Sequence, residues 1–312
     1  MNRIRLAIVI VNFRTPDLSL RAMDSVIPQL DAQRDVVLLV ENGSGDESAS
    51  ALEAGIRARG SSVPIRLLEA PENRGYSAGV NLGLCGVEAE YYLVLNSDII
   101  VREGGVRELL DVAEGDDQPA LVSPRLESVD GEAQISTFSY PSLLGELVEA
   151  AGSGPITRMV ARYADDPEKR EEWVSFAAVL IPRSTIGRIG LMDDAFFMFF
   201  EDVDYCRRVR VAGGETVRCE KARVVHLRGA SSPVKSLRER REQLPAYFYE
   251  SRSRYFTKHH GRVALWLANA LWTLGRLVDA VRELGGRHRH NPRNAGRDIW
   301  RGAFRRLDVS RA

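Results

Sequence analysis

Two hydrophobic periods alternate over the first hundred residues. Apolar runs at 6–12 (LAIVIVN), 36–40 (VVLLV), 65–69 (IRLLE) and 91–95 (YYLVL) have strand length. Between them, apolar positions recur at helical spacing. Thr15-Pro16 offers an N-cap and a proline at the first helical position, which predicts a helix to about Leu30. Further helices are predicted from about Glu47 to Arg59, and from the loop APENRGYSAG through Ala89. Apolar runs without alternation are buried on both faces, and strands separated by helices pair in parallel. The pattern therefore predicts an α/β fold, a Rossmann-like, mostly parallel sheet with helices on both faces. Such sheets bind ligands beyond the carboxyl ends of their strands. The residues that close each run are thus where chemistry belongs: Asn12, Glu41, the loop from Asn73 to Gly79, and Asp98.

Beyond Leu126 the pattern blurs until Trp173, and the charge run 164–173 reads as a solvated face or loop. It sharpens again as a strand over 173–183 and a hairpin over 215–226. After Gly261 an amphipathic helix is predicted over 262–284. Val263, Leu267, Ala270, Leu271, Leu274, Leu277, Val278 and Val281 share one face, and Asn269, Thr273, Arg276 and Glu283 the other. Asn269, Arg276 and Asp279 make it a poor membrane span. Two placements remain open: docking of the apolar face on the preceding body, or contact with anionic lipid through 262–312. The organisation expected is a body over 1–261, with halves of about 1–125 and 126–261, followed by the helix and basic tail of 262–312.

Lys plus Arg and Asp plus Glu number 43 each, so no global charge points to nucleic acid. From Arg252 onward basic residues heavily outnumber acidic ones, which points to an anionic surface as their partner. Cys85, Cys206 and Cys219 are odd in number and lack metal-type spacing, so a reducing, cytoplasmic compartment is expected, with the inner face of the membrane as the place for peripheral contact. The apolar stretch Leu6 to Val11 is too short for a secretory leader and reads as a strand.

Candidate chemistry sits at the strand ends. LVLNSD places Asp98 two residues past a buried run, where one carboxylate plus substrate phosphates suffices for Mg²⁺ or Mn²⁺; a turn cap before a helix near Glu103 is the plainer reading. His226 closes ARVVH and is an acceptable further ligand, although strand-end histidines are commonly just hydrogen-bonded surface residues. In NRGYSAGVN, Gly75 and Gly79 would let a backbone approach a phosphate at a helix N-terminus, or Gly75 would only relieve a positive φ. In FFMFFEDVDYCRR, Glu201, Asp202 and Asp204 stand against an apolar run. A carboxylate partly desolvated there becomes a better base, while acids in a first helical turn also complement the helix dipole.

Taken in order, IVIVNFRTPD, VVLLVENGSGD, ENRGYSAGVNLG, YYLVLNSD, IGLMDDAFFMFFEDVDYCRR and ARVVHLRGAS resemble the successive motifs of glycosyltransferase family 2, most of all its rhamnosyltransferase-like branch, over about residues 6 to 232. The resemblance implies a GT-A fold with a nucleotide-sugar-binding half and an acceptor-binding half. It implies an inverting transfer of a sugar, rhamnose among the candidates, from a dTDP- or UDP-sugar donor to a glycan or lipid-linked glycan acceptor, with Mg²⁺ or Mn²⁺. By the same resemblance, NSD takes the place of the DxD-like motif, with Asn96 leading it and Asp98 as metal contact. His226 matches a C-terminal metal ligand, and Asp202 the general base. Asn12, Glu41, Asn73, Arg74 and Gly75 match nucleotide-contacting positions. Glu41 stands where the family usually has aspartate, which leaves the base open. Arg207 and Arg208 fall near where relatives hold diphosphate. A sugar nucleotidyltransferase would carry a Gly-rich basic loop after the first strand, which VNFRTPD lacks. A non-catalytic nucleotide-sugar-binding protein would have lost Asp98 or Asp202, and a membrane-peripheral scaffold would bind vesicles without binding nucleotide.

Overall fold

The four apolar runs become four parallel strands: β1 (Ile4–Asn12), β2 (Asp35–Glu41), β3 (Ile65–Glu69) and β4 (Ala89–Asn96), in the order β3-β2-β1-β4. The computed structural model describes residues 4–152, 173–227, 234–286 and 291–305. Most of the 164–173 charge run, the end of the last motif (228–232) and parts of the basic tail (287–290 and 306–312) lie outside the described residues. Within them the chain forms two compact units, one of 4–137, 173–197 and 201–227, the other of 138–152, 198–200, 234–286 and 291–305.

In the first unit the sheet continues past β4 as β9 (Ala178–Pro182), β6 (Leu121–Glu127), β10 (Thr216–His226) and β5 (Ile99–Val101). β9 and β5 run antiparallel to their neighbours, and the other strands share one direction. Helices α1 (Pro16–Val26), α2 (Ser48–Arg59), α3 (Tyr76–Cys85) and α4 (Gly105–Ala113) follow strands as the pattern predicts. β1 and β2 are buried almost throughout, as strands covered on both faces must be.

Three local expectations are corrected. β3 is an edge strand, half-buried or exposed at every position rather than a buried run, because it has a neighbour on one side only. After the two-residue strand β7 (Thr137–Phe138), the 173–183 strand is interrupted beyond β8 (Trp173–Val174), where the chain turns and Ser175 N–H bonds to Ser136 O. The hairpin at 215–226 is one strand, β10, whose register against β6 shifts between Cys219 and Arg223. Cys219 lies opposite Pro124, which has no N–H for the ladder, so pairing slips there and the bulge takes up the excess residues.

The second unit is helical: α5 (Leu143–Ala151), α8 (Val234–Arg240), α9 (Ala246–Leu284) and α10 (Ala295–Asp298); α6 (Arg183–Ile189) and α7 (Glu201–Val211) belong to the first. Gly261, where the sequence pattern changes, is the non-helical residue inside α9, at φ 82°. Phe199 stacks on Tyr247, and Phe200 packs on Phe248 and Tyr255. Arg252 is buried, bonded to Glu146 of α5 and to Asn269 Oδ1 at 2.7 Å.

That network puts the polar side of α9 inside the unit. Asn269 and Asp279, on or beside the polar side, are buried, whereas Val263, Leu267, Leu274, Leu277 and Val281 of the apolar side are exposed. Docking through the apolar face is therefore not what this unit adopts. Its polar groups have partners inside: Asn291 Nδ2 donates to Asp279 and to Ala150 O, and Arg276 pairs with Asp279 and Glu283. Gly275 meets the backbone of α5 so closely that a Cβ would lie 2.3 Å from Leu147 O.

Candidate active site

Asp98 and His226, 128 positions apart in the chain, are neighbours because of strand register. β5 pairs antiparallel with β10 so that His226 lies opposite Ile99, and Leu227 N–H bonds to Asp98 O at 3.0 Å. The imidazole Nε2 then stands 3.6 Å from Asp98 Oδ1. The Asp98 carboxylate is fully buried, and the His226 side chain is 16% exposed, so the histidine is not a plain surface residue. His226 Nδ1 is also buried and has no hydrogen-bond partner among the described residues.

The loop before Asp98 is tied to the first strand. Thr15 Oγ1 donates to Ser97 Oγ at 2.9 Å, so the hydroxyl expected to cap α1 is used across the strand ends instead. Proline at the first helical position is present, and it needs no cap for itself because it has no N–H. Asn96 N–H bonds to Ala177 O, which joins the same loop to the turn before β9.

The nucleotide-type positions gather at the ends of β1 and β2 and in the loop before α3. Asn12 is buried; its Oδ1 accepts from Ser19 Oγ, and its Nδ2 lacks a partner among the described residues. The Glu41 carboxylate accepts the backbone N–H groups of Gly43 and Ser44, so both oxygens already shape its own loop. Gly43 has φ 66°, and a Cβ there would lie 2.2 Å from the backbone of Glu72, so only glycine lets the two loops approach. Asn73 Oδ1 accepts Gly75 N–H, Asn42 Nδ2 bonds to Gly75 O, and Arg74 pairs with Asp194 at 2.7 Å. Gly75, at φ 97°, is packed against Phe197, whose carbonyl would be 2.1 Å from an added Cβ and accepts Tyr76 N–H. Its glycine character thus answers to positive φ and backbone contact.

α7 begins at Glu201, with all three acids in its first turn. Two left-handed residues, Phe199 at φ 68° and Phe200 at φ 67°, precede it, a costly conformation for bulky side chains that fixes the entry to the helix. Of the apolar run before the acids, Phe196 is fully buried. Burial raises the Asp202 carboxyl to about 6, against an opposing hydrogen bond from Val203 N–H. Burial, and then the Asp202 charge, push Glu201 well above the usual carboxylate range, and Glu201 Oε2 has no partner among the described residues. Asp204 pairs with Arg208 at 2.9 Å. Arg208 also donates to Ile189 O and Leu191 O and lies over the Tyr205 ring, so it is committed to packing.

Tyr76 was not singled out by the sequence, yet it links these groups. Its hydroxyl donates to Phe176 O at 2.9 Å, and the Phe176 backbone bonds in turn to Asp202. Burial raises the phenol well above its usual value, and the charges of Glu201, Asp202 and Asp98 add to the rise. All three carboxylates are thus within electrostatic range of one phenol. The one available signal was its place directly after Gly75.

Residues 7–139 match the family model described as glycosyl transferase family 2. An N-acetylglucosaminyl-diphospho-decaprenol L-rhamnosyltransferase of Mycobacterium tuberculosis (strain ATCC 25618 / H37Rv) is 29% identical over 255 residues, 76% of this chain and 79% of its own. Over residues 7–139 the chain is thus similar to glycosyl transferase family 2. A low-salt glycan biosynthesis hexosyltransferase of Haloferax volcanii is 24% identical over 71% of this chain and 66% of the relative. Among solved structures, a mannosyltransferase from Pyrobaculum calidifontis in complex with GDP-Man and Mn²⁺ superposes with TM-score 0.60 at 12% identity, covering 92% of this chain and 77% of that one. The chain has the GT-A fold.

Proposed function

We propose that the protein is an inverting, metal-dependent transferase that moves a sugar, rhamnose first among the candidates, from a dTDP- or UDP-sugar to a hydroxyl of a lipid-linked glycan. The observation that carries this reading is the buried pairing of Asp98 with His226 at 3.6 Å at the ligand end of the sheet. One carboxylate and one imidazole fit Mn²⁺ or Mg²⁺. Among the described residues no group of three or more acidic, histidine or cysteine side chains gathers as a cage, so diphosphate oxygens and water would complete the shell. A divalent ion bound there supplies Lewis acidity to the departing diphosphate.

The chain's own residues account for the remainder. Asp202, raised to about 6, would accept the acceptor hydroxyl proton as the oxygen bonds to the anomeric carbon and the sugar–diphosphate bond breaks with its electron pair. The inverted centre follows from attack opposite the leaving group. Asn12, with an unpartnered buried amide, and the loops of Glu41, Asn73, Arg74, Gly75 and Asn96 would hold the nucleotide. The lipid-linked acceptor is proposed from the mycobacterial relative, whose name specifies a decaprenyl-diphosphate acceptor.

The test is a panel of nucleotide-sugars with Mn²⁺, Mg²⁺ or a chelator, read by thermal shift and nucleotide release. dTDP-rhamnose is expected to give both in the presence of metal. A panel with neither effect for any donor overturns the proposal.

A further inference from the structure

Exposed apolar side chains of this protein are concentrated on one element. Of fifteen large apolar side chains exposed among the described residues, nine lie on α9 after Gly261 or at Phe304. Singly scattered apolar residues need no explanation, but a contiguous set does. At 100° per residue, Trp266, Leu267, Leu274, Leu277, Val281 and Leu284 fall on one side of the helix. The Phe304 ring, 74% exposed, extends the patch 6.2 Å from that of Trp266. The facing is fixed, because turning the helix inward would break the buried bonds of Asn269 to Arg252 and of Asp279 to Asn291.

Charge identifies what covers this face. Beyond the buried Arg252, residues 253–312 hold thirteen Lys and Arg against four Asp and Glu. Beside the patch, Arg262 donates to Arg305 O, and the Arg305 side chain is 80% exposed. A second copy docked face to face would oppose two such basic segments, whereas an anionic bilayer complements them. No helix among the described residues is long and apolar enough to cross a membrane. We propose that α9 after Gly261 lies in the plane of an anionic lipid surface, its outer face sunk among the headgroups with Trp266 and Phe304 at one end. This inference is independent of donor chemistry and is read without nucleotide.

The full chain is floated with vesicles of equal parts phosphatidylglycerol and phosphatidylcholine, and with phosphatidylcholine alone. Flotation with the anionic vesicles is expected, falling about tenfold or more in Leu274→Glu/Leu277→Glu and unchanged in Val129→Glu, an exposed apolar residue elsewhere. Vesicles should also blue-shift the intrinsic fluorescence of the wild type, and less so that of Trp266→Phe. No flotation, equal binding to neutral vesicles, flotation undiminished by the double substitution, or no Trp266-dependent shift overturns the proposal. A vesicle-free dimer that the double substitution dissociates also overturns it, in favour of a second copy.

Discussion

Asp202 is one residue into a helix whose entry is fixed by two left-handed phenylalanines. Its raised carboxyl gives the proposed base a pH signature. The carboxylate form accepts a proton and the acid form does not, so kcat/KM should climb as pH rises through about 6 and then level. A profile flat from pH 5 to 8 argues against Asp202 as the base. Asp98→Asn and His226→Ala should each raise the Mn²⁺ concentration needed for half-maximal activity by about 10-fold or more, with the fold retained by circular dichroism. Unchanged metal dependence in both variants removes the pair as ligands. The strand-end acids and His226 were legible because they close apolar runs. Tyr76 was not, because its partners Phe176 and Asp202 are brought to it by packing, which no local pattern records.

The elements show where local rules win and where they yield. β1, β2 and β4 follow directly from runs of apolar residues too continuous for one-sided strands. Thr15 looked like a cap, but its hydroxyl bonds to Ser97, a partner 82 residues away that only sheet order brings near. Thr15→Val should therefore cost about 1 kcal/mol of stability through this bond, and should weaken metal-dependent nucleotide binding by loosening the Asn96–Asp98 loop. An effect on neither would make the bond incidental. Gly75→Ala meets both a positive φ and the Phe197 carbonyl, and should lose more than about 2 kcal/mol in urea unfolding. The slip in β10 was missed because it depends on Pro124 of a neighbouring strand, and a strand read alone has no register.

At the scale of the molecule, amphipathicity located the C-terminal helix but left open which of its faces is buried. The 3.6-residue period identifies two faces, and the polar one is inside because Arg252, Glu146, Asn269, Asp279 and Asn291 satisfy one another there. Arg252→Met should cost about 3–5 kcal/mol, since it strands the buried Glu146 without its partner. A neutral result would mean that the network does not hold α9 in place. The central claim is that one site binds nucleotide through Asp98 and His226 and activates the acceptor through Asp202. It is tested most directly by measuring metal-dependent nucleotide binding and sugar transfer side by side in Asp202→Asn. The account predicts unchanged binding with transfer reduced by about 10²- to 10⁴-fold. Wild-type turnover in that variant, or loss of nucleotide binding together with transfer, would contradict it.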